Sequence, residues 1–306
     1  VSVVEVTYSE LDSFATCPFQ WWKRYVELKR PKQKSVKLSF GAAIHQGIET
    51  FYGRSGNALE VVQTYCNKVR EEAQRDGLTL DEEYELTLKK ATYVMEAYLT
   101  RYAGDFDKYN IMSVEPKFRI PLCTHKGQKI VICGKVDRIT VEKHSGLFLP
   151  VETKTAASWN PDINRLMLDF QISVYAWAIS KMLKLHDVTF LYDVIRKPAI
   201  RQKKDESVEE FLNRVKAEMT EKPDEYFFRD KITRSREEIE RTEVEIMIRA
   251  KELVERRKDR KVYRKPGDHC FWKCSYMKPC LDPNNIELEN TLYETVQVPH
   301  EELVAD

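Results

Sequence analysis

Near residue 105 the hydrophobic period of this 306-residue chain changes, and that change limits the folds open to it. Before it, apolar residues recur every three to four positions. Ile44, Ile48 and Phe51 form one stripe in "SFGAAIHQGIETFYG", and two longer helical patterns run from Ala58 to Asp76 and from Asp81 to Tyr102. After it, "IMSVEPKFRIPL", "QKIVICGKVDRITVE" and "LFLPVETKT" are rich in β-branched residues and bounded by turn residues. They predict three consecutive strands, largely antiparallel, with "HSG" (His144 to Gly146) turning the second into the third. "NRLMLDFQISVYAWAISKML" returns to a helical pattern, apolar on several sides and therefore buried. "DVTFLYDVI" predicts a fourth strand, and "SVEEFLNRVKAEM" and "SREEIERTEVEIMIRAKELVERRKD" two charged helices. The order is that of an α/β or α+β domain with a mixed sheet flanked by helices.

The whole chain, 1–306, reads as one domain without a linker. Residues 1–105 form a helical part, 106–200 the sheet-bearing core, 201–281 helices and a cysteine group, and 282–306 an acidic, polar tail without assignment. At the start, "TYSELDSFATCPFQWWKRYV" predicts a helix opened by Ser9 and Asp12 as a capping box. Leu11, Phe14 and Ala15 would make its apolar face, and Pro18 would break it. Hydrophobic residues make up 42% and charged residues 32%, which excludes a disordered chain. No apolar run approaches the roughly 20 residues of a membrane span, and no basic stretch followed by an apolar one marks a signal peptide. Seven cysteines, an odd number, argue against a disulfide framework and for a reducing, cytoplasmic compartment.

The third strand ends in Glu152-Thr153-Lys154. Side chains two apart on a strand share a face, so Glu152 and Lys154 project together. A hairpin brings Asp137, from "GKVD", beside them. Two carboxylates and an ammonium make a hard-oxygen site for Mg²⁺ or Mn²⁺. Such a cation polarises a phosphate and activates water, and a lysine stabilises developing negative charge. Taken alone, the spacing equally describes a cross-strand ion pair. Two more features bear on it. His45 follows a glycine on a helix and could reach the metal, and Gln171 and Tyr175 share a helical face that is otherwise apolar.

In order along the chain, "GAAIH", "GKVD", "ETK" and "QISVY" resemble the motifs of the PD-(D/E)XK nuclease superfamily, in its RecB-like branch. Val136 stands where the superfamily's name has proline. The resemblance implies a restriction-endonuclease-like core and phosphodiester hydrolysis. It implies that His45, Asp137 and Glu152, with the Thr153 carbonyl, hold Mg²⁺ or Mn²⁺. Lys154 would position the attacking water, and Gln171 and Tyr175 would shape the site and contact DNA or Lys154. Glu115 is a weaker candidate for the metal.

"HCFWKCSYMKPC" supplies Cys270, Cys274 and Cys280, and Cys17 beside Pro18 is the best fourth. Four thiolates could hold zinc or a [4Fe-4S] cluster. One remote cysteine plus a close group of three resembles the iron-sulfur subset of RecB-like nucleases, which includes AddB-type proteins and CRISPR-associated exonucleases. There the run is C-x2-C-x5-C; here it is C-x3-C-x5-C. That resemblance implies a structural cluster clasping the two chain ends, with a redox role left open.

Basic stretches on both sides of the clasp, "WWKRYVELKRPKQK" and "ERRKDRKVYRK", carry Trp21, Trp22, Tyr25 and Tyr263, with Trp272 nearby. They suggest phosphate tracking and base stacking on a single strand or a DNA end. The expected protein is thus a stand-alone DNA exonuclease of a phage or prokaryotic pathway. Recombination or replication proteins are possible partners, a homo-oligomer is possible, and a membrane is not expected. A CRISPR-adaptation nuclease, an inactive iron-sulfur DNA-binding subunit and a zinc-stapled interaction protein are the rival readings.

Overall fold

The computed structural model describes residues 2–33, 35–157 and 166–304, apart from the side chains of Trp272, Glu302 and Val304. The chain opens with a strand that the sequence pattern did not reveal, β1 (Ser2–Thr7), which pairs in parallel with β5 (Gln128–Lys135). Helix α1 (Tyr8–Thr16) follows directly. Its cap is Thr7, whose side chain accepts from the Glu10 N–H, and not Ser9. Leu11 and Phe14 are buried as expected, but Ala15 is exposed. Pro18 starts the short helix α2 (Pro18–Trp21) at its first turn, where a missing N–H costs nothing. One wide turn (Trp22–Val26) and a short strand β2 (Lys29–Pro31) complete this segment.

Three long helices come next: α3 (Val36–Gly53), α4 (Ala58–Arg75) and α5 (Glu82–Arg101). Ser35, Asn57 and Asp81 cap them, each accepting from backbone N–H groups of the first turn. After the short α6 (Asp105–Lys108) the strands begin. Each of the first two predicted strands is in fact two. "IMSVEPKFRIPL" divides into β3 (Tyr109–Val114) and β4 (Lys117–His125), and "QKIVICGKVDRITVE" into β5 and β6 (Arg138–Glu142). The two breaks lie side by side. Glu115 takes a left-handed conformation (φ 53°) ahead of Pro116. Its N–H donates to the Asp137 carbonyl at 2.9 Å, and the Val136 N–H donates to the Pro116 carbonyl at 3.1 Å. The hairpin is therefore creased, not severed. Below the crease β4 and β5 join β1, in the order β1-β5-β4; above it β3 and β6 join a five-stranded sheet.

That sheet has the order β3-β6-β7-β8-β9, with β7 (Phe148–Ala156), β8 (Val188–Arg196) and β9 (Phe227–Arg234). β7 and β8 are parallel and the other neighbours antiparallel, so the sheet is mixed. β9 was not expected, because its charged residues mask the strand pattern. Between β7 and β8 runs α7 (Phe170–Leu183), capped by Asp169; Asn164 and Arg165, where the pattern had begun the helix, lie outside the described residues. Helices α8 (Val208–Glu221), α9 (Pro223–Tyr226) and α10 (Arg236–Asp259) frame β9. Ser207 with Glu210 and Ser235 with Glu238 form full capping boxes on α8 and α10.

The sheet separates two cores. Phe190, Tyr192 and Val194 of β8 pack with α7, α10, β1 and β5. Ile195 on the other face packs with α3, α4, α5 and α8. Alternation along the strand sends neighbours to opposite cores. The tail also has a place: β10 (Tyr293–Thr295) pairs antiparallel with β2, tying the end of the chain to its beginning. Among the described residues no helix is long and apolar enough to cross a membrane.

Candidate active site

Lys154 is the centre of a compact polar knot. Its Nζ donates to Glu152 Oε1 at 2.5 Å and to Gln171 Oε1 at 2.7 Å. The Gln171 Nε2 donates in turn to the same Glu152 oxygen at 2.8 Å. β7 carries the acid and the base on one face, and the first turn of α7 carries the amide; Asp169 fixes that turn by accepting from the Gln171 N–H at 2.9 Å. The Glu152 side chain is buried, and its Oε2 has no hydrogen-bond partner among the described residues. Burial pushes its carboxyl up to about 8; Lys154 opposes this and the Asp137 carboxylate adds to it. Lys154 is held above its ordinary value, since burial is outweighed by Glu152.

Asp137 sits in the crease between β5 and β6, not in a strand. Its Oδ2 accepts from the Thr153 N–H at 2.6 Å, which pins it to β7 between Glu152 and Lys154. Its Oδ1 lies 3.7 Å from His45 Nδ1. The sequence motifs thus converge from four elements: α3, the crease, β7 and α7. Tyr175 is buried, edge-on to Phe118 with ring centroids 5.7 Å apart, and its hydroxyl stands beside Gln171. It backs Gln171, which in turn holds Lys154. Glu115 pairs with Lys135, and burial pushes its carboxyl up to about 7, with Asp137 contributing. Glu115 is therefore adjacent to the site and occupied by a lysine.

Tyr8 was missed. At the start of α1 its ring lies 6.1 Å from Phe170, and burial followed by Asp12 and Asp169 raises its hydroxyl; Lys154 and Glu152 also act on it. The only signal for Tyr8 was its place just before the helix. Asp169 carried a clearer one, as an N-cap residue before an apolar helix.

The carboxylates, the imidazole and the Glu152 oxygen without a partner suit a hard divalent cation, which would give that buried oxygen a ligand. The donors are neighbours but do not close around a point. Among the described residues no three His, Cys, Asp or Glu side chains are grouped as a ligand set for a metal ion.

The four cysteines lie in one neighbourhood, each of the other three acting on Cys274. Cys17 is buried, and burial raises the Cys274 thiol, with Cys270, Cys17 and Cys280 all near enough to add to the effect. The Tyr276 N–H donates to Cys274 Sγ at 3.4 Å. The chain segments around them are tied by hydrogen bonds. The Phe19 N–H donates to the Tyr263 carbonyl at 3.2 Å, and Lys265 Nζ to the Ala15 carbonyl at 2.8 Å.

Part of the expected DNA platform is internal. Trp21 and Tyr25 are buried, and Trp21 Nε1 donates to Glu10 Oε1 at 2.8 Å. Lys23 is paired with Glu27 and Glu289, Lys29 with Glu289, and Arg257 with Glu10. The acids of the tail neutralise cations that the sequence left without partners. Tyr263 remains exposed, and the side chain of Trp272 lies outside the described residues.

A creased hairpin, a mixed sheet and an Asp/Glu-x-Lys knot define a protein of the restriction-endonuclease-like class. The chain belongs to the PD-(D/E)XK nuclease superfamily, whose family model matches residues 5–280. Among solved structures it is similar to SSO0001, with 13% identity and a TM-score of 0.32 over 70% of this chain and 80% of that one. It is also similar to a Eubacterium rectale protein provisionally described as an exonuclease, with 13% identity and a TM-score of 0.45 over 91% and 87% of the two chains. No curated protein matches it.

Proposed function

We propose that this protein is a divalent-cation-dependent deoxyribonuclease of the RecB-like type, acting as an exonuclease on single strands or DNA ends. Phage or prokaryotic DNA repair, recombination or processing is its setting. The observation that carries the reading is the Lys154–Glu152–Gln171 knot beside Asp137, with one Glu152 oxygen buried and without a partner.

Asp137, Glu152, His45 and the Thr153 carbonyl would hold Mg²⁺ or Mn²⁺. Bound there, the cation would polarise the scissile phosphate and lower the pKa of a water. The chain's own groups do the rest. Lys154 presents an ammonium where negative charge develops and orients the attacking water. Gln171 fixes Lys154 by accepting a hydrogen bond from its ammonium and fixes Glu152 by donating one to it, so neither rotates freely. Tyr175 holds Gln171 from behind, and the Thr153 N–H holds Asp137. The water oxygen forms the new P–O bond as the ester oxygen leaves.

Cys17, Cys270, Cys274 and Cys280 would hold a [4Fe-4S] cluster. Such a cluster takes one thiolate per iron, so its ligands stand apart instead of converging on one ion. Its role would be to staple the ends that β2 and β10 already bring together, where a long loop makes closure most stabilising.

The test is hydrolysis of end-labelled single- and double-stranded DNA with Mg²⁺ or Mn²⁺. Wild type should release short products, and Lys154→Ala and Asp137→Ala should not. Intact DNA in every wild-type reaction, or variants as active as wild type, would reject the assignment.

A further inference from the structure

Where α3 crosses the C-terminal ends of β7 and β8, the Lys197 ammonium rests on the backbone of Lys37, and among the described residues neither lysine is paired with an acid. Lys197 follows β8 directly, and its N–H donates to the Ala156 carbonyl at 2.7 Å, two residues beyond Lys154. Its Nζ lies 4.7 Å from the Phe40 ring centroid and donates to the Lys37 carbonyl at 3.3 Å. Burial and then the Lys37 charge push the Lys197 ammonium down to about 8, and no carboxylate opposes them. Among the described residues no Asp or Glu pairs with either lysine. The contrast is with Lys23, Lys135 and Lys231, each of which has found an acid in a sequence holding 49 of them. A half-buried ammonium that also feels the Lys37 charge and has no acid costs free energy that an arriving anion would return.

The position gives the anion a role. Lys37, Gly41 and His45 are spaced four apart and share one face of α3. A Cβ at Gly41 would lie 3.2 Å from Thr155 Oγ1, so the helix runs tightly along the end of β7. His45 reaches Asp137 at the candidate site. Eight residues of helix set Lys37 about 12 Å from His45 along the axis. The opening turn of this 18-residue helix adds its positive end. Phe40 is buried under Lys197, which orients the ammonium and leaves no face for a base to stack on.

We propose that Lys37 and Lys197 form a cradle for a backbone phosphate of a nucleic-acid strand leading into the site. The occupant rests on the nuclease reading; the anion site itself does not.

The experiment therefore has two arms, both in EDTA so that no strand is cut. In the first, inorganic pyrophosphate is titrated against wild type, Lys197→Met, Lys37→Met and Lys197→Arg, and the thermal midpoint is followed. Wild type and Lys197→Arg should be stabilised, and the two methionine variants much less. In the second, binding of a labelled single-stranded oligonucleotide is measured against salt. Each methionine variant should lower the slope of log K against log salt by about 0.7, as expected for one lost phosphate contact on a single strand. Equal pyrophosphate shifts and equal slopes in wild type and methionine variants would overturn the cradle. If no DNA is hydrolysed by wild type but the pyrophosphate shift depends on the lysines, the nuclease reading falls and the anion site stands. If DNA is hydrolysed and the slopes are unchanged, the cradle falls alone.

Discussion

Glu152 and Asp193 are two buried carboxylates on neighbouring parallel strands, one residue out of step, and so on opposite faces of the same sheet. Asp193 is surrounded. Its Oδ2 accepts from Arg138 at 2.7 Å, Arg229 at 3.1 Å and Tyr98 at 2.7 Å. Burial works against its charge, yet Arg229 and Arg138 hold it below the ordinary carboxylate range. Glu152 has a single lysine, shared with Gln171, and burial pushes it upward. The face built from two arginines and tyrosines compensates its carboxylate in charge, although Asp193 Oδ1, like Glu152 Oε2, has no hydrogen-bond partner among the described residues. The other face holds a charge deficit, and a deficit that persists in a folded protein points to something the chain binds.

Removing the groups that bear on the deficit should have the largest effect. Lys154→Ala and Asp137→Ala should lower hydrolysis about 10³-fold, the scale of losing one preorganised stabilising group, with little change in thermal midpoint. A comparable loss of folding stability would break the contrast between the faces. Asp193→Ala should do the reverse. Two buried guanidinium groups lose their carboxylate, so urea unfolding should show a loss of roughly 3–5 kcal/mol.

The two acids should also differ in the sign of their pH dependence. Glu152, raised from 4.5 to about 8, stabilises the fold fully below the lower value and loses that contribution as pH rises through the upper one. Asp193, lowered from 3.8, contributes above that value and loses its share as pH falls through the folded one. Glu152→Gln should therefore abolish hydrolysis yet flatten the alkaline loss of stability in EDTA, as read by urea titrations across that range. A profile as steep as wild type would show that Glu152 is already compensated. Cys17→Ala should remove iron and sulfide from the purified protein while β2 and β10 still hold the ends together; unchanged iron would take Cys17 out of the ligand set. The smallest effect belongs to Lys23→Ala, whose pairs with Glu27 and Glu289 are near the surface and worth about 1 kcal/mol or less.

Much of the site was legible because its residues sit on regular elements. Glu152 and Lys154 needed only the two-residue strand period, and Gln171 and Tyr175 only the helical one. The crease was hidden. Nothing between Lys135 and Arg138 forbids a continuous strand, and the bend is set by Glu115 and Pro116 on the neighbouring chain segment. β1 and β10 were missed for a related reason: each is a strand through partners more than 100 residues away. Part of the expected aromatic platform is committed inside the protein, Trp21 and Arg257 to Glu10 and Lys23 and Lys29 to the tail's Glu289, a commitment that no local pattern announces.

The crease also governs how this enzyme family member can vary in length. Glu115 and Asp137 are bonded to each other across it, so the two sides of the bend share one registration mark. Deleting a residue from one segment alone would invert every side chain on one side of the bend while the other side stayed correct. Asp137 would then lose either its grip on Thr153 or its approach to His45. Insertions and deletions here should be tolerated only in matched pairs, one in each strand. The hairpin behaves as a ruled fold line in paper, which can be moved only by moving both leaves at once.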